Sequence, residues 1–447
     1  MWNTTRVHSP QKEKLLNSKL RLLSAILLCF LSTITFVTAK TVDSKSDWPQ
    51  WRGPQRSGAS NERGLLKEWP KGGPKLLWQV NDIGDGYSTP AVVGDRIYLM
   101  SNRGLDNEFV QALATQNGKV IWTTRVGNVG NPQQMPSYPK ARSTPTVDGK
   151  FVYALSSDGD LVCLESNSGK IVWQKNVRKE FGGRPGEWAY AESPLVDGDM
   201  VVATPGGSDA TIVALNKKTG ALIWKSAVPD GDDAGYASAI VVQSAGRKQY
   251  VQLLSKGLVG IDAKTGQFLW RYKEVAKGPA QYFTPVSRDE YIYTGALGVG
   301  GGLVRLKTDG TSVTAEQVYF LRGLPNGIGG AVLAGEYLFG TEIGQALVAV
   351  EFATGKIKWK ADNFGWASVA YADGHLYCHL TNGDFALIEA SPEAFREKGR
   401  FTPPAQPSRK KSGDFAEQAF SYPVIANGRL YVRDLGTLWV YDIKQGN

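Results

Sequence analysis

Five segments of this chain are cut to one template: ALATQNGKVIW from Ala112 to Trp122, CLESNSGKIVW from Cys163 to Trp173, ALNKKTGALIW from Ala214 to Trp224, GIDAKTGQFLW from Gly260 to Trp270 and AVEFATGKIKW from Ala349 to Trp359. In each, a small residue stands ten positions before the tryptophan and a glycine four before it. From Trp78 onward, successive tryptophans are 44, 51, 51 and 46 residues apart, and the 89 residues from Trp270 to Trp359 span two periods. One degenerate unit is therefore hidden in that stretch. A repeat of about 45 residues constrains the fold more than any local pattern, because a unit that short buries its apolar face only against copies of itself.

Each unit carries more than the tryptophan. An alternating strand comes first, as in Thr89-Pro90-Ala91-Val92-Val93 before Gly94-Asp95, and a second follows (Ile97 to Met100, Phe151 to Leu155, Leu430 to Val432). Hairpin signals come next at Asp158-Gly159, Lys256-Gly257, Asn382-Gly383 and Leu435-Gly436. A third strand runs into an Asn/Thr/Ser-Gly turn, and the fourth holds the tryptophan. Four short strands per period is the arithmetic of a propeller blade. Strand pairs begin near Ser88, Ser143, Ser193, Ser238, Thr284, Gly330, Ser368 and Tyr422, which makes eight blades. The last unit ends at Asp442-Ile443-Lys444 without a tryptophan strand of its own. The segment from Pro74 to Val80, with Trp78, is predicted to supply it, so that the two ends of the chain share a sheet and no edge stays open. The fold class is all-β, an eight-bladed β-propeller of four-stranded antiparallel blades over residues 74–447. Trp78, Trp122, Trp173, Trp224, Trp270 and Trp359 are read as structural, each filling the gap between blades with its indole N–H on a neighbouring carbonyl.

Composition agrees. With 42% hydrophobic and 21% charged residues the chain is not disordered, and 51 glycines, 13 tryptophans and only 4 methionines suit turn-rich β structure. Residues 1–39 read as an export signal: a basic stretch ends at Arg21, apolar residues run from Leu22 to Val37, and Val37-Thr38-Ala39 offers small residues to a peptidase. Leu28 before Cys29 does not suit a lipoprotein signal, so the expected location is periplasmic or otherwise extracytoplasmic, with a retained membrane anchor as the alternative. The signal carries a net +4 of the chain's +9, and the remaining excess is too small to argue for nucleic acid. Cys29, Cys163 and Cys378 form no adjacent or Cys-x-x-Cys pair.

The repeat resembles the tryptophan-docking motif of the pyrroloquinoline quinone (PQQ) repeat family, from about residue 74 to 444. Trp48-Pro-Gln-Trp-Arg-Gly-Pro54, within the lead-in of residues 40–73, resembles the lead-in of PQQ-like propellers from planctomycete-type bacteria. It is expected to lie across the propeller and cover apolar surface. Two branches share the motif: quinoprotein alcohol dehydrogenases, and non-catalytic propellers such as the outer-membrane assembly factor BamB. The dehydrogenase branch implies PQQ, Ca²⁺ held by carboxylates and amides, a catalytic Asp and a disulfide between adjacent cysteines. This chain has no such cysteines, and no residue here is assigned as catalytic or metal-binding. The resemblance implies a monomeric, non-catalytic scaffold for an envelope protein or a glycan, with no cofactor; a PQQ-dependent oxidoreductase and a glycan-binding propeller are the alternatives.

The candidate binding feature is a column. Two residues before each first-strand signal stand Tyr87, Arg142, Ala191, Tyr236, Tyr282, Ile328, Trp366 and Phe420, five of them aromatic. In a closed propeller these positions ring one mouth of the central channel, and Arg142 and Glu192 would add charge to it. Four other features have blander readings. Asp230-Gly-Asp232-Asp233 is read as a solvated turn between blades, and Gly298-Val-Gly300-Gly-Gly302 as a blade turn. His375, Cys378 and His379 are read as structural, because strand alternation sends Cys378 to the opposite face from the histidines. The insertion at 395–414, with Arg409-Lys410-Lys411, is read as a loop between blades seven and eight.

Overall fold

The computed structural model describes Met1, Trp2 and residues 46–446, apart from 135–137, 245, 279, 311 and 413–414. Residues 3–39 of the candidate export signal lie outside the described residues. Among these residues no helix is long and apolar enough to cross a membrane.

Blade one shows the local logic. Its strands Ala91–Val93, Arg96–Asn102, Glu108–Ala114 and Val120–Gly127 form one antiparallel sheet in chain order. The two middle strands are buried almost throughout, as strands covered on both faces must be. Six more sheets repeat this order, with first strands starting at Thr146, Leu195, Ile240, Val286, Ala331 and Ala367. The eighth takes Val424–Ala426, Arg429–Asp434 and Thr437–Asp442 from the end of the chain and Lys75–Val80 from its beginning. Trp78 pairs with Val440 and Gln79 with Trp439, so the ring closes as the sequence predicts. Arg433 stitches the closing seam: its fully buried guanidinium donates to the carbonyls of Ser88, Met100 and Gly84 in blade one and the preceding loop.

The template residues explain one another across the seams. The small residue ten positions before each tryptophan is its direct cross-strand partner, as Ala112 is for Trp122 and Gly260 for Trp270. A bulge just before that position recurs in all eight fourth strands and aims the side chain into the gap. The turn glycine of the next blade receives the indole. At Gly169, φ is +71° and a Cβ would lie 2.4 Å from Trp122; at Gly118 one would lie 2.8 Å from Trp78. The indole N–H of Trp78, Trp122, Trp173 and Trp359 then donates to Thr115, Ser166, Lys217 and Ser391 of the following unit.

Two tryptophans depart from that reading. Trp270 donates instead to Gln249 Oε1 in its own blade. Blade five has no turn glycine to receive it, because its outer hairpin runs on through Gly300–Asp309 and Ser312–Leu321. Trp224 stacks on Tyr250 of the next blade, and its N–H has no partner among the described residues.

The hidden unit is blade five, where Tyr319 holds the tryptophan position and donates its hydroxyl to Phe352 O, against Gly355. Blade seven lacks an aromatic residue at this position altogether. Its fourth strand is Glu397–Phe401, which corrects the reading of 395–414 as a loop, and Gly399 stands where the tryptophan belongs. Trp69 of the lead-in fills the space: its backbone N–H donates to Lys398 O, and its ring packs on Tyr377 and Phe401. A Cβ at Gly399 would lie 2.6 Å from Trp69 Cβ. Two further points of the insertion are tied to the propeller, Pro404 O to Trp439 and Arg409 to Asp434.

Two other loop readings need correction. Only Gly298 lies in a turn; Gly300, Gly301 and Gly302 are strand residues kept bare by Tyr293 and Phe320. Asp232 is buried rather than solvated, and accepts from Ser255 and Lys256 N–H beside Arg271. His379, Cys378 and His375 lie buried in the second strand of blade seven, as read.

The lead-in covers one end of the channel. Trp48 bridges to Val92, Val147 N–H donates to Pro49 O, and Ser60 N–H donates to Tyr371 O. Between these anchors Trp51, Arg52 and Arg56 reach inward, to Thr284, Ala331 O and Ser193 O.

Because Trp173 and Trp69 fill equivalent seams from different parts of the chain, Trp173→Ala and Trp69→Ala are each expected to cost about 3–5 kcal/mol of unfolding free energy by urea denaturation. A negligible loss for Trp69→Ala would show that the lead-in merely rests on the propeller.

Candidate binding site at the channel mouth

The channel is girdled by side-chain hydroxyls passed from blade to blade. Tyr422 N–H donates to Thr89 Oγ1, Thr89 N–H to Thr144 Oγ1, Thr144 N–H to Ser193 Oγ and Ser193 N–H to Ser238 Oγ, at 2.9–3.2 Å. Ser238 N–H reaches Thr284 Oγ1 at 3.5 Å. Each of these six residues stands two positions before the first strand of its blade. Their role as a hydrogen-bonded girdle was invisible in sequence beyond the recurrence of Ser and Thr. Blade six interrupts it with Gly330, where a Cβ would lie 2.9 Å from both Arg52 Nη1 and Tyr422 Oη.

The predicted column sits two residues further along, at the end away from the lead-in's anchors. Arg142, Ala191, Tyr236, Tyr282, Ile328, Trp366 and Phe420 are all half-buried, and Tyr87 is buried at 7% exposure. Their polar ends are held by neighbours: Tyr282 Oη donates to Asn326 O, Trp366 Nε1 to Glu342 O and Arg142 Nη2 to Gln134 Oε1, while Tyr236 Oη accepts from Trp188 N–H. What remains for a ligand is ring surface. Tyr87 and Phe420 meet edge to face at 5.2 Å, and the Arg142 guanidinium lies 5.1 Å from the Tyr87 ring centre.

Glu192 does not belong to the mouth. Its side chain turns into the blade, where it accepts from Thr204 N–H and Oγ1. Burial pushes its carboxyl up to about 7. Glu108 is enclosed in the same way, accepts from Ser157 N–H and Oγ, and is pushed up to about 8 by burial. A third acid, Glu417, accepts from Tyr87 Oη and pairs with the buried Lys140, which also holds Asp85. Glu108, Glu192 and Glu417 are thus all engaged, and burial leaves the first two only partly ionised at neutral pH. Among the described residues no group of three or more His, Cys, Asp or Glu is placed to hold a metal.

Fold and site together define a PQQ-like repeat β-propeller with an aromatic channel mouth. The family model described as outer membrane protein assembly factor BamB matches residues 106–361, and the chain belongs to that family. BamB of Yersinia pestis is 24% identical over 403 residues, covering 82% of this chain and 88% of that one. The match to BamB of Moranella endobia is 28% over 120 residues and spans only 26% of this chain and 30% of that protein's length. The quinoprotein ethanol dehydrogenase of Pseudomonas aeruginosa is 31% identical over 140 residues, 29% of this chain and 22% of the enzyme. Among solved structures, BamB from Moraxella catarrhalis superposes with a TM-score of 0.59 at 14% identity, over 83% of this chain and 98% of that one.

The raised acids set a pH dependence. Glu108 and Glu192 stay protonated in the folded chain at pH values where the unfolded chain has lost both protons, so stability falls as pH rises from about 5 to about 8. His379, held near 4 by burial, works oppositely, and its stabilisation is lost as pH falls from about 6.5 toward 4. Denaturant titrations at pH 5.5 and 8 are expected to show wild type weaker at pH 8 and Glu108→Gln with a smaller difference. An equal difference would contradict this assignment.

Proposed function

We propose that this chain is an extracytoplasmic scaffold that binds an envelope protein of outer-membrane assembly through the mouth face of its propeller. Membership in the BamB family is the observation that carries the reading. The form of the molecule supports it, because the lead-in occupies one end of the channel and leaves the ringed end available. On that same face the loops after the fourth strands of blades one and two enclose a recess of about 770 Å³, lined by Leu105, Asn131, Asp158, Arg178, Arg184 and Glu187. Half-buried rings with satisfied polar ends, beside a recess of mixed charge, suit a protein surface that brings apolar anchors and complementary ions.

The test is binding to purified outer-membrane assembly components of the host cell. Trp366→Ala combined with Tyr236→Ala is expected to weaken binding at least about tenfold, as loss of anchor aromatics does, while the melting temperature stays close to wild type. Unchanged affinity would remove the mouth from the interface. Incubation with PQQ and Ca²⁺ is expected to give no dye reduction with alcohols or sugars; turnover would overturn the scaffold reading.

A further inference from the structure

The lead-in drives two arginines toward the channel, and among the described residues neither has an ion-pair partner. Arg52 and Arg56 are 1% and 2% exposed. Arg52 gives Nη2 to Ser57 O and Ala331 O, and Arg56 gives Nη2 to Ser193 O. The Nε and Nη1 donors of Arg56 have no partner among the described residues, and those of Arg52 have only the neutral Tyr422 hydroxyl beside them. The Arg52 guanidinium lies 5.4 Å from the ring centre of Tyr422, whose phenol is held neutral by burial. Glu192 is the carboxylate whose field reaches Arg56, but it is bonded to Thr204 and only partly ionised.

A guanidinium does not shed its proton in a protein, and a buried charge without a counter-charge is among the costliest arrangements a fold can hold. Two such cations, each with N–H donors that meet no charged acceptor among the described residues and both brought in by Trp51-Arg52-Gly53-Pro54-Gln55-Arg56, therefore need negative charge from outside the chain. Gly330 lets the Arg52 guanidinium and the Tyr422 hydroxyl come close to the backbone, since a Cβ there would lie 2.9 Å from both. The Nε/Nη edge of arginine matches the paired oxygens of a carboxylate or phosphate.

We propose that the channel binds a small oxyanion, a carboxylate or a phosphate, on the donors of Arg52 and Arg56. The site lies inside the hydroxyl girdle, and does not depend on which protein meets the mouth.

The experiment starts from protein dialysed free of oxyanions and titrated calorimetrically with inorganic phosphate, then with acetate as a competitor. Crystals soaked in selenate give the position from anomalous scattering. Saturable binding is expected, with a selenium peak within hydrogen-bond reach of Arg52 and Arg56, and affinity about tenfold or more lower in Arg56→Gln. Competition by acetate would name carboxylates as ligands, and indifference to acetate would name phosphate-type anions; either supports the site. Should Arg56→Gln fail to fold, Arg56→Lys keeps the charge but loses the planar edge, and is expected to bind more weakly than wild type. Channel water only, seen as no saturable heat and no selenium peak, would overturn the proposal. So would phosphate binding that Arg56→Gln leaves intact.

Discussion

An indole seated on the turn glycine of the next blade is the interaction from which the rest of this structure follows. Blades are twisted sheets that diverge toward the rim, and each gap needs a wide, flat, apolar filler with one polar atom to spare. Tryptophan meets both needs. The glycine answers two demands at one position, a positive φ for the turn and a bare Cα for the ring. Trp122 against Gly169 shows both, and the Ser166 carbonyl that accepts the indole N–H is presented by the same turn.

Where the template fails, the fold restores the contact by other means. Tyr319 replaces the indole in blade five and reaches Phe352 O with its hydroxyl. Gly399 leaves blade seven empty, and Trp69 enters from the lead-in. The segment before the propeller is thus part of its framework, and its position in the seam carries Trp51, Arg52 and Arg56 across the channel. One end of the torus is filled from within the chain, and the aromatic ring at the other is the surface that remains.

Much of this was legible because a repeat states its own geometry. The period, the small residue ten before the tryptophan and the missing last strand fixed eight blades and the pairing of Trp78 with Val440. Tyr319 and Trp69 were not legible, since one departs from the template and the other lies outside it. The mouth column was readable as a position in the period, but Glu192 was misplaced, because its carboxyl is taken up by Thr204 inside the blade. Arg52 and Arg56 sit in a segment expected only to cover apolar surface. Nothing in a lone Trp-Arg-Gly-Pro reveals that its cation ends up buried 279 residues away, on Ala331.

The measurement that bears most directly on the seam contact is a double-mutant cycle on Trp122 and Gly169. Gly169→Ala is destabilising through its φ alone, so the informative quantity is how far that cost falls once Trp122→Ala has removed the ring. If the indole sits on the glycine, urea denaturation should give a coupling of about 1 kcal/mol or more between the two positions. Strict additivity of the two substitutions would mean that the glycine serves its turn alone, and the account of how the blades hold together would be wrong.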